Sequence, residues 1–142
     1  MIRRHFLALA TAFAMTAPVL GHAADLTIDI EGITSQQGRL MLAVMGSAEA
    51  WKGQGKPAAQ SGGAPDGDGT LSLKVADLAP GSYAIRVMHD ENDNGKLDTN
   101  VVGMPTEGYG FSNNPKVMRA ATFEEARFEV TADGATVRIV MR

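Results

Sequence analysis

Leu26, Ile28 and Ile30 alternate with Thr27 and Asp29, the period of a strand with one buried face. Leu40, Leu42 and Val44 repeat the pattern, but Met41, Ala43 and Met45 make the second face apolar as well, which predicts a more central strand. Leu71, Leu73 and Val75 form a third set. Tyr83, Ile85 and Val87 form a fourth, with Ala84, Arg86 and Met88 opposite. Ala126, Phe128 and Val130, then Val137, Ile139 and Met141, close the series, and Ala48 to Lys52 is a candidate seventh strand. No segment after the first two dozen residues carries a long helical period. Short strands with Gly and Pro punctuation predict an all-β fold, a single antiparallel sandwich or barrel. Pro80-Gly81 reads as a turn into the fourth strand, and Asp133-Gly134 as a turn joining the last two. Gly53 to Gly69, GQGKPAAQSGGAPDGDG, has almost no apolar content and is expected to be a flexible insertion or a mobile binding loop. Trp51, just before it, is expected to pack against the fold rather than serve as a ligand platform.

The first residues stand apart from this pattern. Arg3 and Arg4 precede a mostly apolar stretch from Phe6 to Leu20, and Gly21-His22-Ala23 supplies small residues for cleavage before Ala24. Residues 1–23 are therefore expected to be a signal peptide and residues 24–142 one β-sandwich domain, periplasmic or secreted. Arg3-Arg4-His5-Phe6-Leu7 also resembles a twin-arginine signal, but Ile2 stands where a polar residue is usual, which favours ordinary unfolded export. The apolar run is shorter than a membrane span, and none is expected after cleavage.

The 142 residues carry 13 basic and 16 acidic side chains. Loss of the leader leaves 11 against 16, a formal charge of −5, with no basic run, which argues against a nucleic-acid partner. Cysteine is absent, so an oxidising compartment supplies no disulfide.

The stretch HDENDNGKLDTN, His89 to Asn100, carries the strongest candidate chemistry. Counted from Asp90, oxygen-bearing side chains fall at the first, third and fifth positions, Asp90, Asn92 and Asn94. Gly95 takes the sixth, the carbonyl of Lys96 the seventh and Asp98 the ninth. Such alternation lets a curling loop turn every second oxygen toward a hard cation, calcium above all. The twelfth position is Val101, and the preceding segment reads as a strand, so a helix-loop-helix hand is excluded. A calcium site would need help from outside, with Glu107 nearest in sequence. The competing explanation is a metal-free turn, since Asn94-Gly95 is itself a strong turn signal.

Downstream, GMPTEGYGFSNN places Tyr109, Phe111 and Asn113 in a glycine-rich loop. Tyr109 and Phe111 are expected either to seal the end of the sandwich or, with Asn113, to be ligand-binding residues for a protein, peptide or glycan of the cell envelope. The linked run from Leu78-Ala79-Pro80-Gly81-Ser82-Tyr83 through HDENDNGKLDTN to GMPTEGYGFSNN resembles a family of small exported bacterial proteins catalogued as a domain of unknown function. That family looks transthyretin-like, or prealbumin-like, and the resemblance implies a seven-stranded Greek-key β-sandwich. The proline-glycine entry into the core strand is similar to collagen-adhesin B-type repeats and carboxypeptidase regulatory-like domains. The resemblance implies no catalytic residues.

Little else points to catalysis. After cleavage His89 is the remaining histidine, too few for a histidine zinc site. Ser82 and Ser112 lack a spaced base and orienter. Three expectations follow, in descending order. The first is a non-catalytic exported binding module. The second is a structural or assembly protein of the envelope that pairs through a sheet edge. The third is an enzyme whose cleft would unite His89, Asp90 and Glu107.

Overall fold

The computed structural model describes residues 23–142, so the expected signal peptide lies outside the described residues apart from its last position. Two sheets pack face to face. The smaller joins β1 (Ala24–Glu31), β4 (Leu71–Leu78) and β8 (Ala135–Val140) in the order β4-β1-β8. The larger runs from β3 (Ala59–Gly63) through β2 (Arg39–Met45) to β5 (Gly81–Asp90). The far edge of β5 is shared by β7 (Arg127–Val130) and β6 (Tyr109–Phe111). Leu26, Ile28 and Ile30 from one sheet meet Leu40, Val44 and Ile85 from the other, all nearly or fully buried. The period-2 apolar positions thus face one another across a single core, as alternation requires.

Several expectations need correction. Ala48 to Lys52 is not a strand: Ala48–Trp51 is one helical turn, α1, because the Ser47 hydroxyl accepts from the Ala50 N–H and starts a helix there. Ala126, expected in the strand with Phe128 and Val130, instead ends helix α2 (Phe123–Ala126), which is held by a reciprocal cap between Thr122 and Glu125, and the strand starts only at Arg127. The glycine-rich insertion contains β3, whose residues 59–63 pair in register with 44–40 of β2. The sheets are not wholly antiparallel either, since β1 and β8 run parallel, Ile28 opposite Val137. Asp133-Gly134 therefore does not close a hairpin between β7 and β8: it carries the chain from one sheet to the other. The described residues form eight strands rather than seven.

The outer face of the larger sheet is half covered. α1 and α2 sit over the end bearing Met45 and Ala84, where Ala50, Phe123 and Ala126 are buried with them. Trp51 packs edge-on with Phe123 and tilted against Phe111, and its indole N–H donates to the Ala121 carbonyl at 2.9 Å. Among the described residues, no helix lies above the other end, toward the acidic loop.

Candidate functional site

The acidic segment joins β5 to β6 and spans Glu91 to Gly108, so Asn94-Gly95 is not a two-residue hairpin turn. The chain takes left-handed backbone at Asp93 (φ 58°) and Gly95 (φ 79°), which curls the loop back over the end of β5. Asp90 lies at the root, 2 % exposed, and its two oxygens accept from the N–H groups of Asn94 at 3.0 Å and Gly95 at 2.7 Å. Glu107, also buried, clamps the two sides of the loop. One oxygen accepts from Glu91 N–H at 2.9 Å and the other from Asp98 N–H at 2.8 Å. Carboxylates on backbone donors are strong hydrogen bonds, so these two acids serve as anchors of the loop.

The remaining donors converge at the loop's exposed side. The side-chain amides of Asn92 and Asn94 donate to the two oxygens of Asp98 at 2.7 and 2.8 Å. The same two side chains accept, through their oxygens, from Asn94 N–H and Lys96 N–H. Three of the expected ligands, Asn92, Asn94 and Asp98, thus meet at one point, while Asp90 and Glu107 are turned to backbone. Among the described residues no group of three or more His, Cys, Asp or Glu side chains is arranged to hold a metal ion. Val101 is fully exposed beyond the site, in an apolar tip with Val102 and Met104 capped by Asn100.

The hydrogen bonds from Asn94 and Asn92, with a smaller contribution from the Lys96 charge, hold the Asp98 carboxyl below the usual carboxylate range. A carboxyl lowered on folding stabilises the loop above its unfolded value of about 3.9 and loses that contribution as pH falls through the folded value. The side-chain NH2 resonances of Asn92 and Asn94 should therefore stay unchanged on acidification until below about pH 4 and then collapse together toward free-amide positions. Titration of both amides at or above that pH would contradict the geometry.

The histidine and serine candidates serve the backbone. His89 is 1 % exposed and its Nε2–H donates to the Gln37 carbonyl at 2.7 Å, which settles the tautomer because a carbonyl only accepts. Ser112 is fully buried, where its hydroxyl accepts from Ile85 N–H at 2.8 Å and donates to the Ala126 carbonyl. Among the described residues, His89, Asp90 and Glu107 make no hydrogen bond to one another through their side chains; each goes to a main-chain partner.

Beside the loop, the uncovered part of the larger sheet forms a cavity of about 660 Å³. Cross-strand register builds its floor in two rows. Gly62, Met41, Met88 and Tyr109 stand opposite one another, then Gln60, Ala43, Arg86 and Phe111. Tyr109 and Phe111, both expected as ligand residues, lie here edge-on at 5.8 Å, so they form a ridge rather than a flat stacking platform. Asn113 stands apart: it has left-handed backbone, and its amide donates to the Glu125 carbonyl at 2.9 Å, tying the exit of β6 to α2. Leu97 reaches the cavity wall from within the acidic loop.

Arg86 is the cavity residue that alternation alone passed over. Its guanidinium lies 4.6 Å from the centre of the Trp51 ring, and Nη2 donates to the Trp51 carbonyl. Its buried Nε has no hydrogen-bond partner among the described residues, and burial pushes the group below the usual arginine value. The signal for this cavity was an apolar outer face on β2 and β5 interrupted by one arginine.

The profile of a family of uncharacterized proteins conserved in bacteria (DUF2141) matches residues 28–138. The chain belongs to this family. The matched range takes in the acidic loop and every strand in whole or in part. No curated protein and no solved structure matches the chain at significance. The DUF2141 chain is thus assigned by its family and by a mostly β, two-sheet architecture.

Proposed function

We propose that this DUF2141 protein is an exported, non-catalytic binding module on a transthyretin-like Greek-key sandwich. Its ligand, from the periplasm or the surrounding envelope, lies on the open outer face of the larger sheet, and calcium bound by the acidic loop sets the rim of that surface. The carrying observation is Leu97. It belongs to the candidate calcium loop and also lines the cavity. Ordering the loop around an ion would therefore fix one wall of the binding surface.

The convergence of Asn92, Asn94 and Asp98 supports the calcium part. An asparagine amide turned by 180° exchanges NH2 for oxygen with almost no change of shape. Turned so, Asn92 and Asn94 would give up the bonds their oxygens accept from Asn94 N–H and Lys96 N–H, and would present those oxygens beside Asp98 at the spacing that now accommodates two hydrogen bonds. An ion between these oxygens would replace the amide protons, and Asp90 would supply a lone pair not used by Asn94 and Gly95. The Lys96 carbonyl completes the set. The crossings between sheets from β1 to β2, β3 to β4, β4 to β5 and β7 to β8 support the Greek-key part.

Calorimetric titration should find one calcium site with a dissociation constant on the order of 10⁻⁴–10⁻³ M. Trp51, which touches Phe111 at the cavity's edge, should change its fluorescence in the same range. No heat at millimolar calcium, together with an unchanged melting temperature, would remove the metal from the proposal.

A further inference from the structure

The cavity has a charge character that the chain as a whole lacks. The protein carries a formal charge of −3, yet among the described residues no Asp or Glu lines this surface, while Arg39 and Arg86 both do. Neither arginine takes part in an ion pair among the described residues, where Arg119, Arg127 and Arg138 all do. Arg39 is opposite Asp90 in the β2–β5 ladder, and Arg86 lies four residues back along β5. The two are therefore about 13 Å apart along the strands. Between them the floor is Met41, Met88 and Tyr109.

Arg86 is the under-satisfied member. Of its five N–H groups, one donates to the Trp51 carbonyl, and Nε is buried without an acceptor. A partly buried cation normally has an anionic partner, because desolvation without one is unfavourable. The Trp51 ring offers cation–π attraction but accepts no conventional hydrogen bond from the guanidinium. Within the described chain the counter-ion is missing, and the exposed approach to Arg86 is over an apolar floor.

We infer that the cavity takes a small amphipathic anion, a carboxylate on an apolar body, with Arg86 as counter-ion and the Met41–Met88–Tyr109 row as bed for the apolar part. The inference rests on the reading of this face as the binding surface and names the chemistry of its ligand. A volume of about 660 Å³ suits such a molecule, since small-ligand sites span roughly 300–1,000 Å³. Arginine is suited to the headgroup by its planar donor fork, and methionine to the body by its adaptable, polarizable side chain. Arg39, exposed at the other end, adds to the field without being needed as a contact.

Octanoate and 1-octanol, alike in apolar length and unlike in charge, test this on the full chain by calorimetry, with amide shifts of Met41, Met88 and Tyr109 locating the site. Octanoate should bind at least about tenfold more tightly than octanol. Arg86→Gln should remove most of that difference by weakening octanoate at least several-fold more than octanol, provided its far-ultraviolet spectrum matches the parent. Arg39→Gln, at an exposed position with no side-chain partner to lose, should weaken octanoate by about twofold to fivefold. Equal affinity of the two ligands for the parent would overturn the counter-ion inference while keeping the face as a binding surface. Shifts confined to residues elsewhere, or no binding of either at millimolar concentration, would overturn both.

Discussion

Replacing Ser112 by alanine should lower the stability of the fold by about 2–4 kcal/mol, the largest effect expected of any change of one oxygen atom in this chain. The reason lies in the edge of β5. Residues 81–84 pair with β7 and residues 86–88 with β6, so the ladder changes partner at Ile85. Ser112 fills that break. Its N–H donates to the Ile85 carbonyl at 3.0 Å, its hydroxyl accepts the Ile85 N–H at 2.8 Å, and its O–H continues to the Ala126 carbonyl. Alanine keeps the first bond and loses the other two, stranding a donor and an acceptor where the parent side chain is fully buried. Buried main-chain groups without partners are rare because each costs about 1–3 kcal/mol. Urea unfolding should show a lower midpoint with an unchanged slope. A loss below about 0.5 kcal/mol would mean that the break in the ladder is sealed by something other than this hydroxyl.

That break also shows where reading along the chain stops. Alternation located β1, β2, β4, β5 and β8 because each buries one face against the common core, and burial imposes the period. β3 has no such mark: Ala59, Gln60, Ser61, Gly62 and Gly63 form a strand because β2 offers an unpaired edge, a tertiary cause rather than a local one. The helical turns were legible in principle. Ser47 and the Thr122–Glu125 pair carry the side chains of helix starts, but four residues are too few to display a 3.6 period. Asp133-Gly134 is the turn the sequence suggested, but its role is tertiary. Gly134 has φ 91°, and a Cβ there would lie 2.4 Å from the Asp25 carbonyl oxygen. The glycine admits the start of β1, whereas a hairpin signal seen in sequence cannot tell which strand approaches.

The candidate site divides along the same line. The alternating oxygens of Asp90, Asn92, Asn94 and Asp98 were visible as spacing, and so was Glu107 as an outside member. Their division of labour was not, because it depends on burial. Asp90 and Glu107 are buried and bind main-chain N–H groups, whereas Asn92, Asn94 and Asp98 gather toward solvent. The cavity was harder still to see. Met41, Ala43 and Met45 rightly marked β2 as an interior strand, but the sequence pattern did not show that Met41 and Met88 would line an open outer surface together with Arg39, Arg86 and Leu97.

Gly38→Ala should be the most disruptive single substitution at the loop's root, lowering stability by about 3–5 kcal/mol. Gly38 leads into β2 with φ 66°, a region that costs an L-residue about 1–2 kcal/mol. Strain is the smaller part. A Cβ here would lie 1.9 Å from the Asp90 carbonyl oxygen and 2.6 Å from the Glu91 Cα, both main-chain atoms that cannot swing aside. Relief requires moving the end of β5, and with it the Asp90 carboxylate that holds Asn94 and Gly95. The neighbouring Gln37 carbonyl, which accepts a hydrogen bond from His89 Nε2–H, would shift as well. Gly95→Ala separates the two causes: φ is 79° there, but an added Cβ would meet nothing within 4 Å. That variant should lose only about 1 kcal/mol. Calcium titration of both variants carries the argument to function, since Gly38→Ala should weaken any calcium affinity by displacing Asp90 even where the protein remains folded. Equal stability losses in the two variants would show that backbone conformation, not the close approach of Gly38 to Asp90, holds the loop's root in place.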